Sequence, residues 1–495
     1  MNFLSKSKYV SFCQCEKIIW LDKNKPEEKV ITEAMQEIFD NGNMIGDLAM
    51  ELFGDYVEVT CYKENGKLDL DKMCQRTKEE IFKKTENICE ASFIYNGLYC
   101  AVDILRKNED GYDIYEVKSS THINDVYYPD TAYQKYVLEK CGVNVKRVFV
   151  VTINSSYVRM GEIELDKLFK ITEVTQEIKA YEGDVEENVN KAKDVLDLEN
   201  EPTKEIGQHC SKPYDCPYAK YCFRSLPSPN VFDLYQSRKK FSFYNNGIVS
   251  FDDLRLSGEK LSKVQEIQVE YYDKDEVYVE KENLREFLNG ITYPIYYLDF
   301  ESMNPAIPPF DNSNPYSQIP FQYSLHIKES ETSPLIHKEF LADGFSDPRR
   351  MVAESLVNDI GEVGTIVAYY HSFEKSRIDE LSKLFSDLKA PLKGMLNRFV
   401  DLLHPFSKGY VYYKDMGGSF SIKSVLPSFF KNDPELDYKS LPGVHNGSEA
   451  KNVFPKLQSM SEEERNKVRD GLLKYCHLDT LAMVRVHEKL IELAR

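Results

Sequence analysis

The sequence predicts an α/β protein built from more than one domain, and three observations lead there. The chain has 495 residues, more than one ordinary hydrophobic core organises, so two or three domains are expected. Its first half carries short β-type runs at 101–105 (AVDIL) and 113–118 (DIYEVK), a helical period over 130–141, and the buried-type strand 146–153 (KRVFVVTI). The pattern starts again at 293–302 with YPIYYLDFES. Strands flanking a helix, with further helices outside, describe a layered α/β architecture.

Composition narrows the function classes. With 42% hydrophobic and 29% charged residues the chain is globular, and it has no apolar run that could span a bilayer, so no membrane partner is expected. The first residues lack the basic-then-apolar layout of a secretory signal, which makes the cytoplasm the expected compartment. A net charge of −18 counts against a protein that coats nucleic acid electrostatically, though not against an enzyme with a local basic channel. Tyr (33) and Phe (27) far outnumber the single Trp. Some of those rings are candidates for stacking on unpaired bases, and most are expected in the core. Eleven cysteines in such a protein invite a search for metal spacing rather than for disulfides.

Taken in order, residues 3–21 read as one helix capped by Ser5, with Cys13 and Cys15 near its middle and Trp20 as a core anchor. Residues 42–53 and 71–90 read as two further helices. Asn96-Gly97 then joins a strand over 91–99 to the strand at 101–105. Asp110-Gly111 suits a tight reversal before 113–118, and the resulting hairpin brings Asp103 near Glu116 and Lys118. The last two are two residues apart and share a strand face. Carboxylates set among Val, Ile and Leu are costly to bury without a task. Two of them offer hard oxygen ligands for Mg²⁺ or Mn²⁺, and a neighbouring lysine can steady a water or a phosphate. The competing reading is a surface hairpin with a Glu–Lys pair on its wet side.

Residues 184–201 are acidic and read as a solvated helix or spacer. After them comes CSKPYDCPYAKYC, in which Cys210, Cys216 and Cys222 form a C-x5-C-x5-C run with two prolines. Thiols so spaced suit a bound metal or cluster whose fourth ligand comes from elsewhere, Cys15 or Cys13, against the alternative of scattered free thiols. Residues 226–290 read as a helical connector, giving domains at 1–225, 226–290 and 291–495. In the last of these, Asp299 and Glu301 share a strand face, and 321–327 supplies a strand that pairs with theirs. Another strand at 365–370 leads into a helix carrying Glu374. Residues 398–403 place Asp401 at the end of an apolar helix, and Tyr475 and Asp479 lie one turn apart on a final helix. His371 and His477 beside these motifs are read as hydrogen-bonded neighbours rather than ligands.

On these residues the first half resembles the RecB-like nucleases of the PD-(D/E)xK superfamily, with its restriction-endonuclease-like fold, and especially the CRISPR-associated and AddB-type exonucleases that carry a 4Fe–4S cluster. The resemblance rests on Asp103, Glu116-Val-Lys118, Gln134 in the following helix, and the cysteines. It implies that Asp103 and Glu116 bind metal, Lys118 assists the attacking water, Gln134 orients substrate, and Cys15, Cys210, Cys216 and Cys222 hold the cluster, with Zn²⁺ the alternative occupant. Gly46 stands where that family usually has a metal-ligating His, with Glu51 and Glu90 the nearby acidic substitutes. The second half is similar to the DnaQ-like 3′–5′ exonucleases of the RNase H fold, in the subtype ending Tyr-x-x-x-Asp. There Asp299, Glu301 and Asp479 are implied metal ligands, and Glu374 takes the place of a middle Asp. Tyr475 is implied to position the attacking water, and Asp401 matches a secondary acidic position. The whole layout is similar to a bacterial family in which the two nuclease halves are fused. The resulting expectation is a Mg²⁺- or Mn²⁺-dependent DNA exonuclease in repair, processing or defence. RNA as substrate and a first half that only clamps nucleic acid are the alternatives.

Overall fold

The computed structural model describes residues 3–431 and 433–495. The chain divides into two units. The first runs as far as Ser225 and adds Pro305–Ser317; the second holds Leu226–Asn304 and Gln318–Arg495. Residues 226–290 therefore belong to the second unit. Both units are mixed α/β.

The first unit opens with the two-residue strand β1 (Leu4–Ser5) and α1 (Lys6–Gln14), at whose start the Ser5 hydroxyl accepts the Lys8 N–H. The single helix expected over 3–21 is two. Cys15 is extended (φ −160°, ψ 117°) and separates α1 from α2 (Glu16–Asn24). After α3 (Glu33–Ala49) come β2 (Val57–Glu58) and α4 (Leu70–Lys83). The helix expected to continue to residue 90 stops because Lys84 turns left-handed (φ 62°), and β3 (Asn87–Tyr95) begins. β4 (Leu98–Lys107) and β5 (Tyr112–Val117) form the expected hairpin, with Ile104 opposite Tyr115 and Lys107 opposite Tyr112. α5 (Tyr127–Lys140) crosses over to β6 (Val145–Ile153), which runs parallel to β5 before the edge strand β7 (Phe169–Glu173). The sheet order is β2-β3-β4-β5-β6-β7, with β1 added beside β4.

The acidic stretch near 184–201 is mostly the helix Lys179–Asp197, and it is no bare spacer: Val185, Val189 and Ala192 are buried in the main core with Ile19 and Tyr133. Trp20 is buried, and its indole N–H donates to Leu198 O at 3.0 Å. The segment 305–317 completes a second cluster of this unit, where Ala306 is buried with Ile104, Tyr115 and Val151. Arg159 ties that segment down through Pro308 O and Pro309 O (3.1 and 2.8 Å).

In the second unit, residues 226–290 form four short helices after Lys240, with their own core of Val231, Phe243, Phe251 and Leu254. The small strand β8 (Tyr278–Val279) follows the third of these helices. The main sheet has β9 (Ile295–Met303) at its centre, flanked by antiparallel β10 (Ile319–Lys328) and parallel β12 (Thr365–Ala368). β11 (Leu335–Leu341) and β13 (Phe399–Asp401) take the edges, and β14 (Val411–Tyr412) pairs with β8. Asp401 thus ends a strand, not the expected helix; its backbone pairs with Ala368 beside it. The C-terminal helix, Glu462–Ala494, packs on β9 and β10 and starts with a reciprocal Ser461–Glu464 cap. Among the described residues no helix is long and apolar enough to cross a membrane.

Gly364 leads into β12 with φ +90°, and a Cβ there would meet Pro294 O at 2.1 Å. Gly142 has a similar φ, +84°, over open space. Gly142→Ala is expected to cost about 1–2 kcal/mol from the left-handed backbone alone. Gly364→Ala should cost clearly more, with the loss seen as faster hydrogen exchange in β9 and β12 and a lower urea midpoint.

Candidate active site

The second unit gathers its acidic residues around one cavity of about 700 Å³. Asp299 and Glu301 alternate along the central strand and point to the same side. Glu374 comes from the first turn of the helix Ser372–Leu384, and Tyr475 and Asp479 come from the C-terminal helix; all five line the cavity. Glu301, Glu374 and Asp479 are buried. The sequence-predicted set is therefore together, drawn from three separate stretches of chain.

Charge crowding dominates the electrostatics. Burial, then Asp479 and Glu301, push the Asp299 carboxyl well above its ordinary range. Glu301 is pushed up to about 8 by burial and by Asp479, with Lys423 opposing, and Glu374 to about 8 by burial with Asp401 adding. Asp479 is raised by burial against the hydrogen bond from Tyr438. Among the described residues Lys423 is the only Lys or Arg lining the cavity. Glu374 Oε2 is buried and accepts no hydrogen bond among the described residues. An orphaned carboxylate oxygen among acids that repel one another is an oxygen-donor set short of positive charge, which fits a hard divalent cation such as Mg²⁺ or Mn²⁺.

Two supporting residues were not foreseen from the sequence. Tyr438 donates its hydroxyl to Asp479 Oδ1 at 2.6 Å, and Lys423 donates to the Tyr475 hydroxyl at 3.1 Å. Tyr438 sits in a three-residue turn and Lys423 at the start of the helix Ile422–Phe429, both far along the chain from their partners, so only the fold reveals them. Asp401 does not line the cavity. It accepts the N–H groups of Tyr370 and Leu403 (2.8 and 3.0 Å) and lies 3.2 Å from His371 Nδ1, shaping the turn ahead of Glu374.

The first unit also assembles its predicted residues. Glu116 is buried, and Lys118 Nζ bridges Glu116 Oε1 and Asp130 Oδ2 at 2.7 Å each. Gln134 donates to Glu116 Oε2 (2.8 Å) and Asp130 Oδ1 (3.2 Å), and Asp103 accepts the Val117 N–H at 2.6 Å. Lys6, unforeseen from the sequence, joins them from α1. Its Nζ is 2.9 and 3.0 Å from the two Glu116 oxygens and 3.7 Å from Asp103. Burial alone would raise Glu116, but Lys118 and Lys6 pull it down to about 2. Asp103 is raised to about 6 by burial and by Glu116. Of the two acidic substitutes, Glu51 is exposed. Glu90 sits between the partners of Ile104 and Val102, facing Asp103, with a left-handed φ of 57°; burial and Asp103 raise it to about 7. Beside this cluster runs a groove of about 470 Å³ lined by Lys6, Lys8, Lys29 and Lys118, by Asp22, Asp130 and Asp215, and by apolar Ile38 and Phe39.

The cysteines converge as well. Cys15, Cys210, Cys216 and Cys222 line one small cavity with His209 and Lys17, and the Cys216 thiol, pushed up to about 12 by burial, feels all three others. Cys15 stands at the break between α1 and α2. Gln14 fastens the arrangement by donating to His209 O and Tyr214 O at 2.8 Å each. Cys13 is exposed and lies beside Tyr9 instead, so Cys15 is the fourth member.

A family profile described as "Domain of unknown function (DUF2779)" matches residues 296–421. That span includes Asp299, Glu301, Glu374 and Asp401 and stops short of Tyr475 and Asp479. The chain is 28% identical over 207 residues to "Uncharacterized protein MG366" of Mycoplasma genitalium, covering 38% of this chain and 31% of that protein. It is 30% identical over 225 residues to "Uncharacterized protein UU173" of Ureaplasma parvum, covering 40% and 32%. The chain thus spans about a third of the length of the curated relatives it matches. No solved structure matches it.

Raised carboxyls make stability fall with pH. Glu301 and Glu374 titrate near 4.5 unfolded and near 8 folded, so between those values the folded state holds protons that the unfolded state has lost. Their contribution is full below about pH 4.5 and is lost as pH rises through about 8. Metal-free protein is therefore expected to lose thermal stability between pH 5 and 8, and Glu374→Gln is expected to flatten that slope. Differential scanning calorimetry in chelator checks both.

Proposed function

We propose that this protein is a metal-dependent nuclease whose hydrolytic centre is the carboxylate cavity of the second unit. The observation that carries the reading is the convergence of Asp299, Glu301, Glu374 and Asp479 on one cavity, with Glu374 Oε2 left without a hydrogen-bond partner among the described residues. Mg²⁺ or Mn²⁺ held by these four residues would supply charge relief at phosphorus and a water nucleophile at neutral pH. The chain's own part is positioning. Tyr438 orients Asp479, Lys423 fixes the Tyr475 hydroxyl, and Tyr475 lines the same cavity as the four acids. The mixed sheet with its acidic central strand supports a DnaQ-like, RNase H-type domain acting 3′–5′ on a strand end. DNA is the proposed substrate, in repair, processing or defence in the cytoplasm.

For the first unit, read as PD-(D/E)xK-like, one observation favours the clamp. Both Glu116 oxygens already take Lys6, with Lys118 and Gln134 completing the set, so a cation at Glu116 must first displace an ammonium. We propose that this unit grips nucleic acid through its lysine-bearing groove and that the cysteines hold a 4Fe–4S cluster. Four thiols lining one cavity support such a site, with Zn²⁺ the alternative occupant.

With Mn²⁺ and 3′-labelled single-stranded DNA, the wild type is expected to shorten the strand. Asp299→Ala should slow this by about 10²-fold or more, the scale of losing one source of transition-state charge stabilisation. Lys118→Ala should leave the rate per bound strand unchanged, whereas loss of cleavage would restore hydrolysis to the first unit. Intact DNA and RNA with both metals would sink the nuclease reading. Protein purified without oxygen should be brown and contain iron that Cys216→Ser loses; colourless protein with stoichiometric zinc would replace the cluster by Zn²⁺.

A further inference from the structure

Three histidines outside the carboxylate cavity meet on the face of the second unit's sheet that the C-terminal helix covers. His326 on β10 and His337 on β11 are directly opposite each other in the antiparallel register, and His477 reaches them from the helix. Their ring centroids are 4.6, 4.8 and 4.3 Å apart, and one nitrogen from each lies within 4.8 Å of the other two. His326 is buried, while the His337 side chain keeps 24% of its exposure.

Hydrogen-bonding hydroxyls surround the rings. The Thr480 hydroxyl lies 3.0 Å from His477 O, 2.8 Å from His326 Nδ1 and 2.7 Å from Ser324 Oγ, and Ser324 Oγ lies 2.9 Å from His337 Nε2. Where the Thr480 proton goes to His477 O, this chain of bonds puts protons on His326 Nδ1 and His337 Nε2 and leaves lone pairs on His326 Nε2 and His337 Nδ1. Three imidazoles this close cannot all carry charge, and the neutral ring is the ligating form. Second-sphere partners that fix the tautomer of a histidine are a regular companion of metal ligation.

We propose that His326, His337 and His477 form a site for a borderline divalent cation of the Zn²⁺ class, with a fourth position open to solvent beside His337. Imidazole nitrogen suits zinc, nickel or copper, whereas Mg²⁺ and Mn²⁺ select oxygen. The site therefore takes a different ion from the one proposed for the carboxylates, and it stands independently of the nuclease reading. Such an ion would pin β10 and the edge strand β11 to the helix that carries Tyr475 and Asp479.

The test uses the full chain with histidine labelled in its ring nitrogens. One equivalent of Zn²⁺ is expected to shift the resonances of His326, His337 and His477 and to leave those of exposed His122 and His445 in place. Bound zinc measured by mass spectrometry should fall by one equivalent in His337→Gln, a change on a partly exposed edge strand, and should keep that equivalent in Cys216→Ser. Ring signals unmoved by zinc in the wild type, or His337→Gln binding as much zinc as wild type, would overturn the site and leave a hydrogen-bonded histidine cluster.

Discussion

The second unit is organised around mutual repulsion. Four carboxyls from one strand and two helices are held where burial and proximity oppose the ionisation of each. An arrangement of that kind persists only where the surrounding frame over-determines it. Here the frame is β9 at the centre of its sheet, the reciprocally capped C-terminal helix, and the Asp401-bound turn before Glu374. Remove the frame and the acids would drift apart into water. That the fold keeps them together is the reason to look for positive charge arriving from outside.

The two units treat acidic clusters in opposite ways. In the first, Lys6 and Lys118 lie within hydrogen-bonding distance of Glu116 and hold it ionised, so that its charge is paired within the chain. In the second, Lys423 is spent on Tyr475 rather than on a carboxylate. Balanced buried charges favour a fixed geometry, while unbalanced ones favour capture of a ligand. The difference follows from two lysines, Lys118 just past β5 and Lys6 on α1, and hydrophobic patterning gives no reason to single out the second.

What could be read from the sequence follows from distance along the chain. The 101–118 hairpin, the alternation of Asp299 with Glu301, and the one-turn spacing of Tyr475 and Asp479 are local patterns, and each stands in the structure as read. Boundaries suffered where a single backbone angle decides them, as at Cys15 and Lys84. Asp401 lies in a strand where RFVDLL predicts a helix, because that run is apolar enough for either and only pairing with β12 decides. Partners brought in from afar were silent: Lys6 is 110 residues from Glu116, and Tyr438 is 41 from Asp479. The meeting of His326 and His337 with His477 leaves no trace in the sequence because it depends on how a helix crosses a sheet.

The excursion between β9 and β10 matters for how the protein is made. Residues 305–317 belong to the first unit although the strands on either side of them belong to the second. The ribosome therefore releases Ser225 long before the first unit has all its parts. Ala306 and the carbonyls that bind Arg159 arrive only after the central strand of the second unit has been synthesised. Neither unit is a contiguous stretch of polypeptide, so no single cut yields both whole, and their maturation during translation is interleaved rather than sequential.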